Sequence, residues 1–130
     1  VTSVSWSGVG VEIDEFLALV NALPGVEHKQ SANYTSYSVH GKKFGYLWPR
    51  TRTVGLKQTL AEQIALVSER PEVFEVQFTA GGFGWVVTYL EKIDAEELSE
   101  LVFEAWRLSA PAALADTQTV PSLPSHRRQG

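Results

Sequence analysis

The chain has 130 residues, 44% of them hydrophobic, with 15 acidic and 11 basic side chains and a formal charge of −4; folding a chain of this size into one core removes roughly two-thirds of the unfolded surface from water. Cysteine is absent, which excludes disulfides, thiolate nucleophiles, zinc fingers and iron-sulfur clusters, and no run approaches the roughly 18 apolar residues of a membrane span. Val1 to Gly10 lack the cationic start and apolar block of a secretory leader, so a cytoplasmic protein with no membrane partner is the expectation.

Residues 1–10 mix Ser, Thr, Gly and Val without period and read as a flexible arm, with Trp6 suited to pin it to the body. From Glu12 the pattern turns helical. Ile13, Phe16, Leu19, Val20 and Leu23 form one stripe, and Glu12, Asp14 and Glu15 sit in the first turn, at the positive end of the helix dipole. Pro24 and Gly25 stop it. Thr35, Tyr37 and Val39 then alternate with polar residues, as do Phe44, Tyr46 and Trp48, around a two-residue turn at His40-Gly41 or Gly41-Lys42. Strict alternation places Tyr37, Val39, Phe44 and Tyr46 on one buried face, with Trp48 beside them. After Pro49, Arg52 to Lys57 reads as a third strand with Val54 and Leu56 turned inward.

Thr59 and Glu62 make a capping-box pair for a second helix with Leu60, Ile64 and Val67 as its stripe, ending before Pro71. Val73 to Phe78 and Trp85 to Leu90 read as strands joined at Gly81 and Gly82. Asp94 and Glu97 open the last helix, whose stripe is Leu98, Leu101, Val102, Ala105 and Leu108, and Pro111 closes it. Residues 112–130 hold little to bury and read as a disordered tail. The expected order is α-β-β-β-α-β-β-α over residues 11–111. Short links between consecutive strands require antiparallel neighbours, which makes an α+β two-layer domain, an antiparallel sheet with helices on one face.

Charge is unevenly spread. From His28 to Ala61 there is no Asp or Glu, yet the segment carries Lys29, Lys42, Lys43, Arg50, Arg52 and Lys57, a balance of +6 against −10 for the rest. A polyanion suits the first region and is repelled by the second. Lys42, Lys43, Arg50, Arg52 and Lys57 are therefore the candidate phosphate contacts, and DNA the candidate partner. Tyr46, Trp48 and Trp85 would stack on bases if their rings were exposed, although period-two spacing assigns Tyr46 and Trp48 to the core. A second candidate is a ligand groove or protein contact, as monomer or homodimer, on the other sheet face, where Leu47, Trp85, Val87 and Tyr89 are apolar.

Catalytic signals are weak. His28, His40 and His126 are scattered, no nucleophile-elbow motif occurs, and the glycine pairs lack the lysine and the strand-to-helix setting of a phosphate loop. Glu97, Glu100 and Glu104 line one helix stripe, read as a solvated face. No metal, cofactor or catalytic residue is assigned.

The segments Leu23-Pro24-Gly25-Val26-Glu27, Gly41-Lys42-Lys43-Phe44, Gly84-Trp85 through Leu90, and Glu97-Leu98, Leu101, Ala105-Trp106-Arg107 and Ala110-Pro111 follow one another in the order and spacing of the MmcQ/YjbR-like proteins. The chain resembles that family over about residues 12–111. The resemblance implies a double-wing α+β domain similar to the frataxin-like CyaY fold, and DNA binding. One departure stands out: many relatives follow Pro-Gly-Val-Glu with a Phe-Gly-containing loop, where this chain has Gln30-Ser31-Ala32-Asn33-Tyr34.

Overall fold

The computed structural model describes residues 10–118. The expected arm, apart from Gly10, and the tail from residue 119 lie outside the described residues. In chain order the elements are α1 (Ile13–Asn21), β1 (Val26–Gln30), β2 (Thr35–Val39), β3 (Lys42–Trp48), β4 (Thr53–Thr59), α2 (Leu60–Glu69), β5 (Phe74–Ala80), β6 (Phe83–Tyr89), a single 3-10 turn (Leu90–Lys92), α3 (Ala95–Ser109) and α4 (Ala112–Ala115). The strands form one six-stranded sheet in the order β1-β2-β3-β4-β6-β5, with every pair antiparallel. The two-layer α+β architecture is the one expected.

Local chemistry explains the boundaries. Thr59 accepts a hydrogen bond from the Glu62 amide and Asp94 from the Glu97 amide, so both capping pairs open their helices. The β2–β3 turn is His40-Gly41, since Val39 faces Lys42, and both turn residues have positive φ (50° and 79°) as a type I′ hairpin requires. Gly81 and Gly82 do the same between β5 and β6, with φ of 61° and 85°.

Two expectations need correction on element count. β1 was not foreseen: Val-Glu-His-Lys-Gln has one half-buried and four exposed residues, so nothing alternates. An edge strand is held by its backbone ladder to β2 and needs no buried side chain of its own. Second, order does not stop at Pro111. The Pro111 carbonyl accepts from the Leu114 and Ala115 amides and starts α4, whose Ala115 is buried in the core. Pro111 thus ends one helix and stands as the extended N-cap of the next, with φ of −59° and ψ of 146°, so residues 112–118 are no disordered tail.

The largest correction concerns β3. Tyr37 faces Gly45 and Ser38 faces Lys43, which leaves Phe44 as an extra residue, a β-bulge. Beyond it the alternation is reset. Phe44 and Leu47 are both core residues, at 0% and 4% exposure, while Tyr46 and Trp48 turn to the opposite face. Leu47 therefore belongs to no interface, and Tyr46 and Trp48 are not core.

One continuous core lies between the sheet and the helices. Phe16, Leu19 and Val20 of α1 and Leu98, Leu101, Val102, Ala105 and Trp106 of α3 meet Tyr37, Val39, Phe44, Leu47, Val54, Leu56, Phe74 and Val86. Leu66 and Val67 of α2 pack against the same cluster, so the helices share one face. Buried polar groups fix their positions. Gln58 of β4 donates to the Leu101 carbonyl at 3.2 Å. Trp106 Nε1 donates to the Pro24 carbonyl at 3.1 Å. Gln63 of α2 donates to the Trp85 carbonyl at 2.9 Å and the Phe78 carbonyl at 3.2 Å. The last contact needs Gly84, because a Cβ there would come within 2.6 Å of the Gln63 Cβ.

Gly84→Ala should thus cost about 1–3 kcal/mol, as forced overpacking does, read as a lower urea midpoint. Burial pushes the Tyr37 hydroxyl up from 10.0 to about 12. The unfolded chain then releases that proton first, so the stability it contributes is complete below pH 10 and is lost as pH rises through about 12. Across that window wild type should lose about 3 kcal/mol that Tyr37→Phe retains, measured by denaturant titration along a pH series.

Candidate functional site

Because all helices lie on one side, the opposite face of the sheet has no helix over it among the described residues. The pairing places Ser36, Tyr46, Gly55, Val87 and Glu75 in one row across five strands. Trp48, Thr53 and Tyr89 form the next row, and Lys57, Trp85 and Phe78 the row on the other side. The rings meet one another. Tyr34, in the β1–β2 turn, meets Tyr46 edge-on at 5.7 Å between centroids, and Tyr46 stacks on Trp48 at 5.7 Å and 19°. Trp85 lies 5.5 Å from Tyr46 and 5.2 Å from Phe78. Trp85 is 5% exposed and Phe78 39%. The array therefore runs from a buried centre to an accessible rim.

Gly55 makes room for this packing: a Cβ there would sit 3.0 Å from the Trp48 ring and 2.2 Å from Gln77 Oε1. A second bulge, at Gln77, brings that side chain onto the face, and its Oε1 is buried with no hydrogen-bond donor among the described residues. Tyr46 has its hydroxyl pKa raised by burial and then by Tyr34. Tyr89 donates to the Glu75 carboxylate at 2.6 Å, which raises its own pKa. Trp85, Val87 and Tyr89 share this face, as alternation along β6 implies, and only Leu47 of that expected group is absent from it.

The five expected phosphate contacts do not converge. Lys42 is exposed at the start of β3, and Lys43 sits 5.8 Å from the Tyr46 ring centroid. Lys57 is buried, with Nζ donating to Ser109 Oγ at 2.9 Å and lying 4.2 Å from the Phe83 ring. Burial first, and repulsion from Lys42 second, lower its pKa. Arg50 and Arg52 lie past the far end of β3, roughly 20 Å away at about 3.3 Å per residue. Arg52 is already neutralised: it bonds Glu12 at 2.9 Å and Glu91 at 3.2 Å. Arg50 is exposed and has no hydrogen bond or ion pair among the described residues. Lys29, on β1 opposite Ser36, adds a further exposed cation.

Arg50 lines a cleft of about 410 Å³ formed by residues 30–35 and 48–51. Sequence reasoning missed it, because the two loops approach only once β1 has paired with β2. Tyr34 was missed for the same reason. The bulge did leave a trace: glycine inside a strand, here Gly45, often marks one. Elsewhere, Glu97 is held by Arg70 at 2.6 Å and Glu104 by Arg107 at 2.7 Å. No group of three or more His, Cys, Asp or Glu suited to a metal occurs among the described residues. His28 meets Asn21 Oδ1 at 3.0 Å and the Tyr37 ring.

The family model described as YjbR matches residues 21–108. Among solved structures, the crystal structure of the Deinococcus radiodurans protein DR2400, a DUF419 domain, superposes with a TM-score of 0.68 at 16% identity, covering 90% of this chain and 95% of that one. At that identity the likeness is one of fold. No curated protein matches the sequence.

Arg52 has φ of +57°, a left-handed conformation that costs a residue with a Cβ about 1–2 kcal/mol. Its two ion pairs are largely exposed and weak. Arg52→Gly should therefore be the more stable of two variants, exceeding Arg52→Ala by about 1 kcal/mol in urea titrations. Equal midpoints would show that the loop tolerates the conformation without strain.

Proposed function

Since the chain belongs to the YjbR family, we propose that it is a non-catalytic, cytoplasmic nucleic-acid-binding domain that takes DNA as a single strand across its helix-free sheet face. The observation that carries this reading is the ring array Tyr34, Tyr46, Trp48, Trp85 and Phe78 on that face, with lysines beside it. Single-strand binders combine aromatic platforms for bases with cations along the backbone. Lys43 at the hairpin, and Lys29 on the neighbouring edge, stand where phosphates flanking a base on Tyr46 would run, whereas Lys42, paired with the core residue Val39, points to the helical face. Of the acids on this face, Glu75 is engaged by Tyr89, and Glu27 stands on the β1 edge in the row of Ser38 and Lys43. The remaining negative charge of the molecule is concentrated on the helices, where it turns a polyanion toward the sheet.

The geometry favours a single strand over a duplex. Paired bases hide their faces, and among the described residues every helix packs on the other side of the sheet, leaving none on this face to enter a major groove. No helix of the described residues is long and apolar enough to cross a membrane.

Fluorescence anisotropy with a labelled single-stranded oligonucleotide and its duplex, over a salt series, tests this. The single strand should bind more tightly. Lys43→Gln should flatten the log-log salt slope by about 0.7, the loss of one phosphate contact. Tyr46→Ala should weaken binding by about 1–3 kcal/mol, the worth of one stacked base. Absence of salt-dependent binding to either probe at low salt would overturn the reading.

A further inference from the structure

The cleft beside Arg50 shares Tyr34 and Trp48 with the stacking platform and adds to them a cation that the platform does not use. Its volume of 410 Å³ lies within the roughly 300–1,000 Å³ of small-ligand sites. Every lining residue comes from the stretch that contains no Asp or Glu, so the cleft has one cation, Arg50, and no carboxylate in its wall. Tyr34 and Trp48 give it aromatic sides. The side chains of Gln30 and Asn33 make no hydrogen bonds among the described residues and remain available to a ligand.

The cleft is also built in advance. The Ser31 amide donates to the Tyr34 carbonyl at 2.7 Å, closing one loop. On the other side the Arg52 amide donates to the Pro49 carbonyl at 3.3 Å, and the Thr51 and Thr53 hydroxyls meet at 2.7 Å. Glu12 and Glu91 hold the Arg52 guanidinium, while the guanidinium two residues earlier has no partner among the described residues. A free guanidinium fork matches a phosphate or carboxylate bidentately. Aromatic walls select a ligand that also carries a planar ring.

We infer that this cleft binds a nucleoside monophosphate unit, its phosphate on Arg50 and its base against Trp48 and Tyr34. The unit comes either as a free mononucleotide or as the phosphorylated end of a strand. Only the second source rests on the single-strand reading above.

NMR titrations on the whole chain separate these outcomes, with the Trp48 indole resonance as reporter and that of Trp106, whose N–H is bonded to Pro24 in the core, as internal control. Adenosine monophosphate should shift Trp48 and not Trp106, and should bind about tenfold or more tightly than adenosine. Arg50→Gln, at an exposed position, should abolish that preference, whereas Lys43→Gln should leave it intact. The same preference seen only between 5′-phosphorylated and unphosphorylated oligonucleotides would support the strand end as the source. Absence of a phosphate preference in both arms, or its survival in Arg50→Gln, overturns the inference. Continued salt-dependent binding of the oligonucleotide in that case would leave the sheet-face proposal standing.

Discussion

The extra residue at Phe44 decides what this molecule presents to its surroundings. With uninterrupted pairing, β3 would bury Phe44, Tyr46 and Trp48 and expose Leu47. The bulge lets Phe44 and Leu47, three positions apart, both enter the core. Each buried side chain of that size contributes about 1.5–3 kcal/mol, against about 1 kcal/mol for one interrupted ladder hydrogen bond. Packing therefore outweighs regular pairing. The same shift turns Tyr46 and Trp48 onto the helix-free face, where Gly55 leaves room for the Trp48 ring.

The two faces are stabilised by different means. On the helical side, apolar burial is supplemented by side-chain amides and an indole that reach backbone groups, so Gln58, Gln63 and Trp106 fix how each helix sits. On the other side, rings shield one another, Trp85 most completely. Such packing leaves the outermost rings accessible without a covering layer. At one end of the sheet Ser109 ties α3 to both strands, accepting from Lys57 and donating to the Lys43 carbonyl. At the other end the Arg52 pairs with Glu12 and Glu91 join the β3–β4 loop to the start of α1 and the turn after β6.

Charge follows the same division. The acid-free stretch builds β2, β3, β4 and most of β1, while the acids lie chiefly on the helices and their approaches. Yet segregation along the chain does not make one basic stripe in space. Arg52 is neutralised by carboxylates from outside the stretch, Lys57 is drawn into a buried contact, and Arg50 is separated from Lys42 and Lys43 by the length of β3. What remains is Lys43 beside the rings and the Arg50 guanidinium in a cleft.

Much of the fold was legible because it follows from local rules. The capping pairs at Thr59 and Asp94, the stripes of the first and last helices, the glycine turns and the antiparallel order all depend on residues close in sequence, and the chain alone determined them. The features that went unread depend on distant partners. β1 exists because β2 offers it an edge, α4 because Ala115 finds the core, and the cleft because two loops from different hairpins meet. The assignment of Tyr46, Trp48 and Leu47 to their faces was likewise a tertiary decision. Alternation sets side-chain direction only while the pairing is regular, and whether one residue is passed over is settled by what packs beneath the strand.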